Sequence, residues 1–531
     1  MKSIWCYDFF MSVIISVRGG SSCESRQGET VLEALTRAGI VLSAPCGGRG
    51  ICGNCRIKLL AGTVSLAEKA ELQQGLKQEI KSGAFFLACR GTALSDISIE
   101  LPKEENDAVS GMKSIIQRPN NVRRAGFGLD IGTTTVQAEL INLDTGETLD
   151  TVSVFNAQRS FGADVMSRIN AARNGKTNEL HKAINKQIEE IIKYFIGNWE
   201  LQSIEQCTIS GNTTMLHLFS GVDPSGMGEV PFTPVFLEER FFSGKELSLP
   251  VEQITLLPGI SAFVGADIVS GLAFLDMLNQ NDNTLFIDIG TNGEMALWKK
   301  SEQRLFCCST AAGPCFEGAE ISCGMGAVPG AINRISLEEK PAGADKVFNY
   351  GPLVYTTLGN IPPRGICGSA LIDLMAAMKS LAVIDETGSL TKEYAQAGFS
   401  LAEGLAISQK DIRQFQLAKS AILSGITILA KKAGLENPGQ LNTVYIAGGL
   451  GFFIDIKNAV TAGLLPSEFS SSSRSKSDIA VCGNTSLKGA VKSLVDKTFL
   501  SRCREIIAKK EMVELGADGD FAEAFAENMY F

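Results

Sequence analysis

Four cysteines constrain this chain more than any other feature. Cys46, Cys52 and Cys55 lie in one glycine-rich run, residues 44–55, and Cys89 follows after 33 intervening residues. The spacing is C-x5-C-x2-C with a remote fourth member. Gly47, Gly48, Gly50 and Gly53 lack a Cβ, so the backbone between the cysteines can wrap tightly and aim N–H groups at sulfur. Three thiolates on one loop and a fourth from a distant strand form the ligand set of a [2Fe–2S] cluster. A structural zinc is the alternative, but zinc modules use two close cysteine pairs, and here the second pair is a single remote residue.

The x5 gap departs from the plant-type x4 spacing and resembles the adrenodoxin-like and putidaredoxin-like ferredoxins. The flanks agree. Residues 12–17, 57–60 and 97–101 read as strands, and 30–38 as a helix with apolar Val31, Leu32, Leu35 and Ala38. The expectation is a small β-grasp ferredoxin sheet over residues 1–101.

At 531 residues and 45% hydrophobic content the chain has room for about three domains. No apolar run reaches the ~18 residues of a membrane span, and none is expected. Asp8 interrupts the apolar N-terminus, so Met11 is the expected natural start and residues 1–10 a non-native extension. Fourteen cysteines without framework spacing point to a reducing compartment, hence the cytoplasm. A net charge of −9 argues against nucleic acid as a partner. Cys307, Cys308, Cys315, Cys323 and Cys367 are dense locally, but no CxxC recurs there, and they read as small buried core residues. With only His181 and His217 present, a histidine-based metal site is not expected.

Residues 102–125 are polar, charged and turn-rich and read as a linker. Beyond it the pattern becomes the strand–turn–helix alternation of an α/β architecture. Residues 178–195 and 411–433 read as helices; in the second, Phe415, Ala418, Ile422, Ile426 and Leu429 share a face and Gly434 supplies the stop. The acidic stretch 512–531 reads as a short helix or a tail.

The strand 126–131 carries Asp130 into a turn of Gly132, Thr133 and Thr134, and the strand 285–289 carries Asp288 into Gly290, Thr291, Asn292, Gly293 and then Glu294. A duplicated D-x-G-T hairpin points one acid per strand toward Mg²⁺ and offers backbone N–H groups and hydroxyls to phosphate. A third strand, 443–447, ends in Gly448 and Gly449, where a flat adenosine can approach the backbone. No G-x-x-x-x-G-K-[ST] motif is present, so this is not a P-loop protein.

These three elements in order resemble the acetate and sugar kinase, Hsc70 and actin superfamily. Residues 265–271 and 365–370 fall where that superfamily has its two connecting helices. Joined to a ferredoxin module, the ATPase resembles the reductive activators of corrinoid proteins. Residues 209–215, 310–314, 316–320 and 323–326 look like that family's own signatures. The resemblance implies a β-grasp ferredoxin followed by a two-lobed actin/Hsc70-like ATPase, with lobe I at 126–266, lobe II at 267–500 and a terminal helix or acidic tail at 501–531. Some larger relatives insert a middle domain after the linker; this chain is expected to run straight into the ATPase.

The implied task is ATP-dependent reduction of a Co(II) corrinoid protein to Co(I) in a methyltransferase system, with a [2Fe–2S] cluster, ATP and Mg²⁺ as cofactors. An upstream reductase or ferredoxin would load the cluster, and relatives suggest a homodimer. Asp130 and Asp288 would organise Mg²⁺ and phosphates, and Asp288 or Glu294 would orient the attacking water. Residues 311–330 are a candidate partner-facing loop, with burial between lobes as the alternative. The turn Asn212–Thr214 reads either as a helix N-cap or as a nucleotide contact. A small-molecule kinase and a non-hydrolysing ATP-binding regulator remain the rival functions.

Overall fold

The computed structural model describes residues 13–18, 22–26, 28–38, 40, 42, 55–66, 79–80, 84–101, 122–337, 346–449, 454–470 and 477–531. Cys46, Cys52, residues 1–10 and nearly all of the linker read at 102–125 lie outside them.

The N-terminal region is built from β1 (Val13–Val17), β2 (Ser22–Ser25), α1 (Val31–Arg37), β3 (Arg56–Ala61), β4 (Val64–Leu66), β5 (Glu79–Ile80), β6 (Phe85–Leu87), β7 (Gly91–Ala93) and β8 (Ile97–Glu100). Five strands form one mixed sheet in the order β2-β1-β8-β3-β6, with β1 and β8 parallel. β5-β4-β7 form a second, small sheet. Ile15, Ile57, Leu59, Ile97 and Ile99 alternate inward along the strands and bury against Val31, Leu32 and Leu35 of α1. That helix starts where a Thr30–Glu33 capping box satisfies its first amides.

The next region holds β9 (Ala125–Ile131), β10 (Thr135–Asn142), β11 (Thr148–Phe155), α2 (Val165–Ala171), α3 (Thr177–Trp199), β12 (Gln206–Gly211), α4 (Thr213–Phe219), β13 (Arg240–Ser243), α5 (Gly244–Leu247) and β14 (Gln253–Leu256). Its six strands run β11-β10-β9-β12-β14-β13. α3 outruns the expected 178–195 because its apolar stripe of Leu180, Ile184, Ile188, Ile192 and Phe195 stays buried until Glu200 turns left-handed, φ 51°.

The last region contains α6 (Ala266–Phe274), β15 (Thr284–Ile289), β16 (Gly293–Lys299), β17 (Arg304–Thr310), β18 (Ala331–Leu337), β19 (Phe348–Tyr350), β20 (Leu353–Thr357), β21 (Gly365–Ile366), α7 (Gly368–Ser380), β22 (Phe399–Ala402), β23 (Leu405–Ile407), α8 (Gln409–Lys432), β24 (Thr443–Ala447), α9 (Ile456–Thr461), β25 (Asp478–Gly483), α10 (Thr485–Val495), α11 (Phe499–Ala508), β26 (Lys510–Met512) and α12 (Gly519–Glu527). Its main sheet runs β25-β24-β15-β16-β17-β26, the same hairpin-plus-neighbour order found around β9. α6 and α7 begin at 266 and 368, inside the two glycine-rich segments, 265–271 and 365–370, read as connecting helices.

α8 starts two residues before the expected 411, because Ser408 is its N-cap and Asp411 its N3 partner. All five residues of its expected face are fully buried. The C-terminus is a helix. α12 lies on α8, where Lys419 Nζ donates 2.7 Å to Asn528 O and also to Tyr530 O, and Phe531 stacks on Phe415 at 6.0 Å. By compactness the chain divides into two units. The second takes Leu256–Phe531 with Ser210–Thr213 and Leu237–Arg240.

Candidate functional site

Cys55 immediately precedes β3 and Cys89 closes the turn after β6. These strands pair antiparallel with Arg56 opposite Leu87, and Ala88 N donates 2.8 Å to Cys55 O. The pairing brings the two thiols to 3.2 Å, well beyond a disulfide bond, with both side chains buried. Leu32 N donates to Ala88 O at 3.0 Å, tying α1 to the same turn. The hydrogen bond with Cys89 lowers the Cys55 thiol to about 6, toward the thiolate that binds metal. Two converging buried cysteines, held by a sheet and not cross-linked, fit one side of a four-cysteine cluster. Cys46 and Cys52 would complete it.

In the first hairpin Asp130 pairs with Gln137 across β9 and β10, at the partly exposed end of an otherwise buried strand. Gly132 N donates to Thr135 O at 3.0 Å, and a Cβ on Gly132 would stand 2.6 Å from that oxygen. Asn156, fully buried, donates from Nδ2 to Gly132 O at 2.8 Å, while its backbone N donates to Thr134 O at 2.9 Å. The guanidinium of buried Arg168 donates to Thr133 O. The turn Gly132–Thr134 is thus fixed through its carbonyls.

The second hairpin turns one residue sooner: Asp288 faces Glu294, six residues on, across β15 and β16, where Asp130 faces Gln137, seven on. Burial raises the Glu294 carboxyl well above the usual carboxylate range, and the charges of Asp267 and Asp288 push it further. Asp267 belongs to the first turn of α6 and was not singled out in the sequence. These three acids form no closed ligand cage among the described residues. Their mutual repulsion is what a hydrated Mg²⁺ would relieve, so Asp288, Glu294 and Asp267 fit such an ion held through its waters. Gly290 N donates to Asn292 O at 2.9 Å, closing the turn, and Thr291 Oγ1 donates 2.7 Å to Glu317 Oε1.

β24 lies parallel to β15 with Ala447 opposite Asp288. Gly448 follows at φ +91°, and a Cβ there would meet Ile289 O at 2.5 Å and Asp288 Oδ1 at 2.6 Å. Gly449 has open space beside it among the described residues. Gly448 therefore packs directly against the Asp288 carboxylate.

Thr213 and Thr214 are buried, and Thr213 Oγ1 donates to Ser261 O at 2.7 Å, so this turn starts a helix and packs. The sequence repeats it, G-N-T-T at 211–214 and G-N-T-S at 483–486, each linking a strand to a helix. The five dense cysteines are buried or nearly so. Desolvation raises Cys307 to about 12 and Cys323 to about 11, and no metal-ligand group includes them among the described residues.

The fold and both sites define an electron-carrying ferredoxin module joined to an actin-like ATPase. Comparisons with known proteins agree along the chain. Residues 16–94 match the 2Fe-2S iron-sulfur cluster binding domain, 125–280 the RACo middle region, and 282–531 the C-terminal domain of RACo, the ASKHA domain. The family's middle region is therefore present, on the stretch read as following the linker directly into the ATPase.

Corrinoid activation enzyme RamQ of Eubacterium limosum is 31% identical over 457 residues, covering 80% of this chain and 73% of its own. The [Co(II) methylated amine-specific corrinoid protein] reductase of Methanosarcina barkeri is 28% identical, covering 72% of each. A solved reductive activator for corrinoid, iron-sulfur protein superposes at TM-score 0.65 with 27% identity over 98% of both chains. The chain belongs to the family of reductive activators of corrinoid proteins.

Proposed function

We propose that this protein uses ATP to drive one-electron reduction of a Co(II) corrinoid protein to Co(I) in a methyltransferase system. The reading is carried by one juxtaposition in sequence: a cysteine pair fit for a cluster and a phosphate-and-magnesium hairpin pair on the same chain. The cluster, when bound, supplies a one-electron carrier. Cys55 and Cys89 hold one side of it, and the β3–β6 pairing keeps them in place. Asp288, Glu294 and Asp267 hold the hydrated cation, Gly132–Thr134 and Gly290–Asn292 bind phosphate, and Gly448 and Gly449 admit the adenosine.

ATP is needed because the Co(II)/Co(I) couple lies below an ordinary ferredoxin near about −400 mV. A nucleotide switch that discriminates two states by ~5.5 kcal/mol supplies on the order of 240 mV for one electron. The electron originates from an upstream reductase or ferredoxin and ends on cobalt. The reading further places the protein in the cytoplasm as a homodimer, which light scattering checks. No described helix is long and apolar enough to cross a membrane.

The test is anaerobic visible spectroscopy of a Co(II) corrinoid protein mixed with this chain and a reductant. ATP-dependent growth of the Co(I) band is expected. Its absence, despite an intact cluster spectrum and ADP formation, would favour a small-molecule kinase.

A further inference from the structure

The sequence offers Thr291 to nucleotide phosphate, yet its hydroxyl is already engaged. It donates to Glu317 Oε1 at 2.7 Å, and the same oxygen is the nearest atom, at 3.8 Å, to a Cβ built on Gly290. A carboxylate therefore lies against the second phosphate-binding turn. A hydroxyl has one hydrogen and an ionised carboxylate only accepts, so Thr291 cannot serve Glu317 and a phosphate oxygen at once.

The segment that delivers Glu317 is built for that placement. Glu317 ends the 3₁₀ turn Pro314–Glu317, flanked by Gly313 and Gly318, both at φ +81°. A Cβ on Gly318 would stand 2.4 Å from Met325 O, so position 318 needs glycine for space as well as for backbone angle. Downstream, Ser322 N and Oγ donate to the fully buried Asp411 carboxylate at 2.7 and 3.0 Å, pinning the segment to the start of α8. Met325 N and Ile366 N complete the hold by donating to Ile366 O at 2.9 Å and Cys323 O at 2.8 Å. Gly318, next to Glu317, thus packs closely on the Met325 backbone.

We propose that Glu317 is a positioning residue that nucleotide phosphate displaces from Thr291, so that residues 313–326 register whether the nucleotide site is filled. Two anions compete for one hydroxyl, and the more highly charged phosphate takes it. The expelled carboxylate carries the 3₁₀ turn with it, between its two left-handed glycines. This rests on the ATPase reading and adds to it the route by which nucleotide state leaves the site.

Glu317→Gln tests it, because the amide oxygen still accepts from Thr291 but carries no charge. In the full-length protein, titration with ATP and with ADP should show at least about fivefold tighter binding, the scale of removing one like charge at close range. Hydrogen exchange at 313–326 should change with ATP in the wild type, and that change should shrink in E317Q. In a Thr291→Val background the E317Q gain should largely vanish. Unchanged or weaker binding by E317Q, beside normal wild-type binding, overturns the assignment alone. A wild type that binds neither nucleotide overturns the ATPase reading and this assignment together.

Discussion

In the first D-x-G-T hairpin the bracing groups are neutral or cationic: the Asn156 amide on Gly132 O and the Arg168 guanidinium on Thr133 O. In the second they are anions, with Glu317 on the Thr291 hydroxyl and Asp267 and Glu294 beside Asp288. Both hairpins share strand order and their registers differ by one residue, so the contrast in charge does not come from the backbone. It comes from side chains that arrive from elsewhere. The first turn is finished before any ligand binds. The second gathers carboxyl groups whose repulsion a cation, a proton or a rearrangement relieves, so it is the one suited to respond.

The comparison can be broken most sharply at Asp288. Asp288→Ala should lower ATP-dependent activation by at least ~100-fold while leaving the visible spectrum of the cluster intact. Normal turnover would mean that the second hairpin is not the metal side. Next in size is Gly448→Ala, which sets a methyl against Ile289 O and the Asp288 carboxylate at a left-handed φ. We expect about 1–3 kcal/mol of destabilisation and loss of ATP turnover, whereas Gly449→Ala leaves stability unchanged because that side is open. Chemical denaturation of the pair decides it.

Asn156→Ala sharpens the other half. Removing a buried amide should cost ~1–3 kcal/mol, read as a lower denaturation midpoint. The Mg²⁺ dependence of the residual activity should stay put, because this brace touches no acid. A shifted Mg²⁺ requirement would erase the distinction between the hairpins.

The smallest effect lies behind the second hairpin, on α8. Desolvation lowers the Lys419 ammonium to about 8. The folded protein then releases this proton before the unfolded chain does, so stability should rise as pH climbs from about 8 toward 10.5. Lys419→Met should flatten that part of the stability–pH curve.

What the sequence revealed follows the same contrast. Asp130, Asp288, Gly132 and Gly290 were legible because each hairpin is local: acid, turn and return strand lie within about ten residues. Glu317 and Asp267 were not, since each comes from a separate element and only the fold brings it to Asp288 or Thr291. The G-N-T repeat at 211 and 483 was a readable signal that was passed over. It marks the joints around α6, where Ser270 Oγ donates to Ser486 O at 2.8 Å and Ser486 Oγ donates to Ser210 Oγ at 2.9 Å. The pattern of α8 was strong enough to name its buried face. α12 was ambiguous because nine residues with three acids make a weak periodic signal.

The docking of the C-terminal segment on α8 has a consequence for synthesis. β26 completes the edge of the main sheet beside β17, and Gln416, Lys419 and Ser420 of α8 donate to carbonyls between Phe525 and Tyr530. While the ribosome is still delivering these residues, α8 has an uncovered buried-type lysine and the sheet an open edge. The cover over α8 and the edge of the sheet therefore wait for residues 510–530 to be made, long after the ferredoxin region. Cluster insertion and completion of the second ATPase region become separate events in time, and a chain halted before residue 510 would hold a ferredoxin region beside a motor with an open sheet edge.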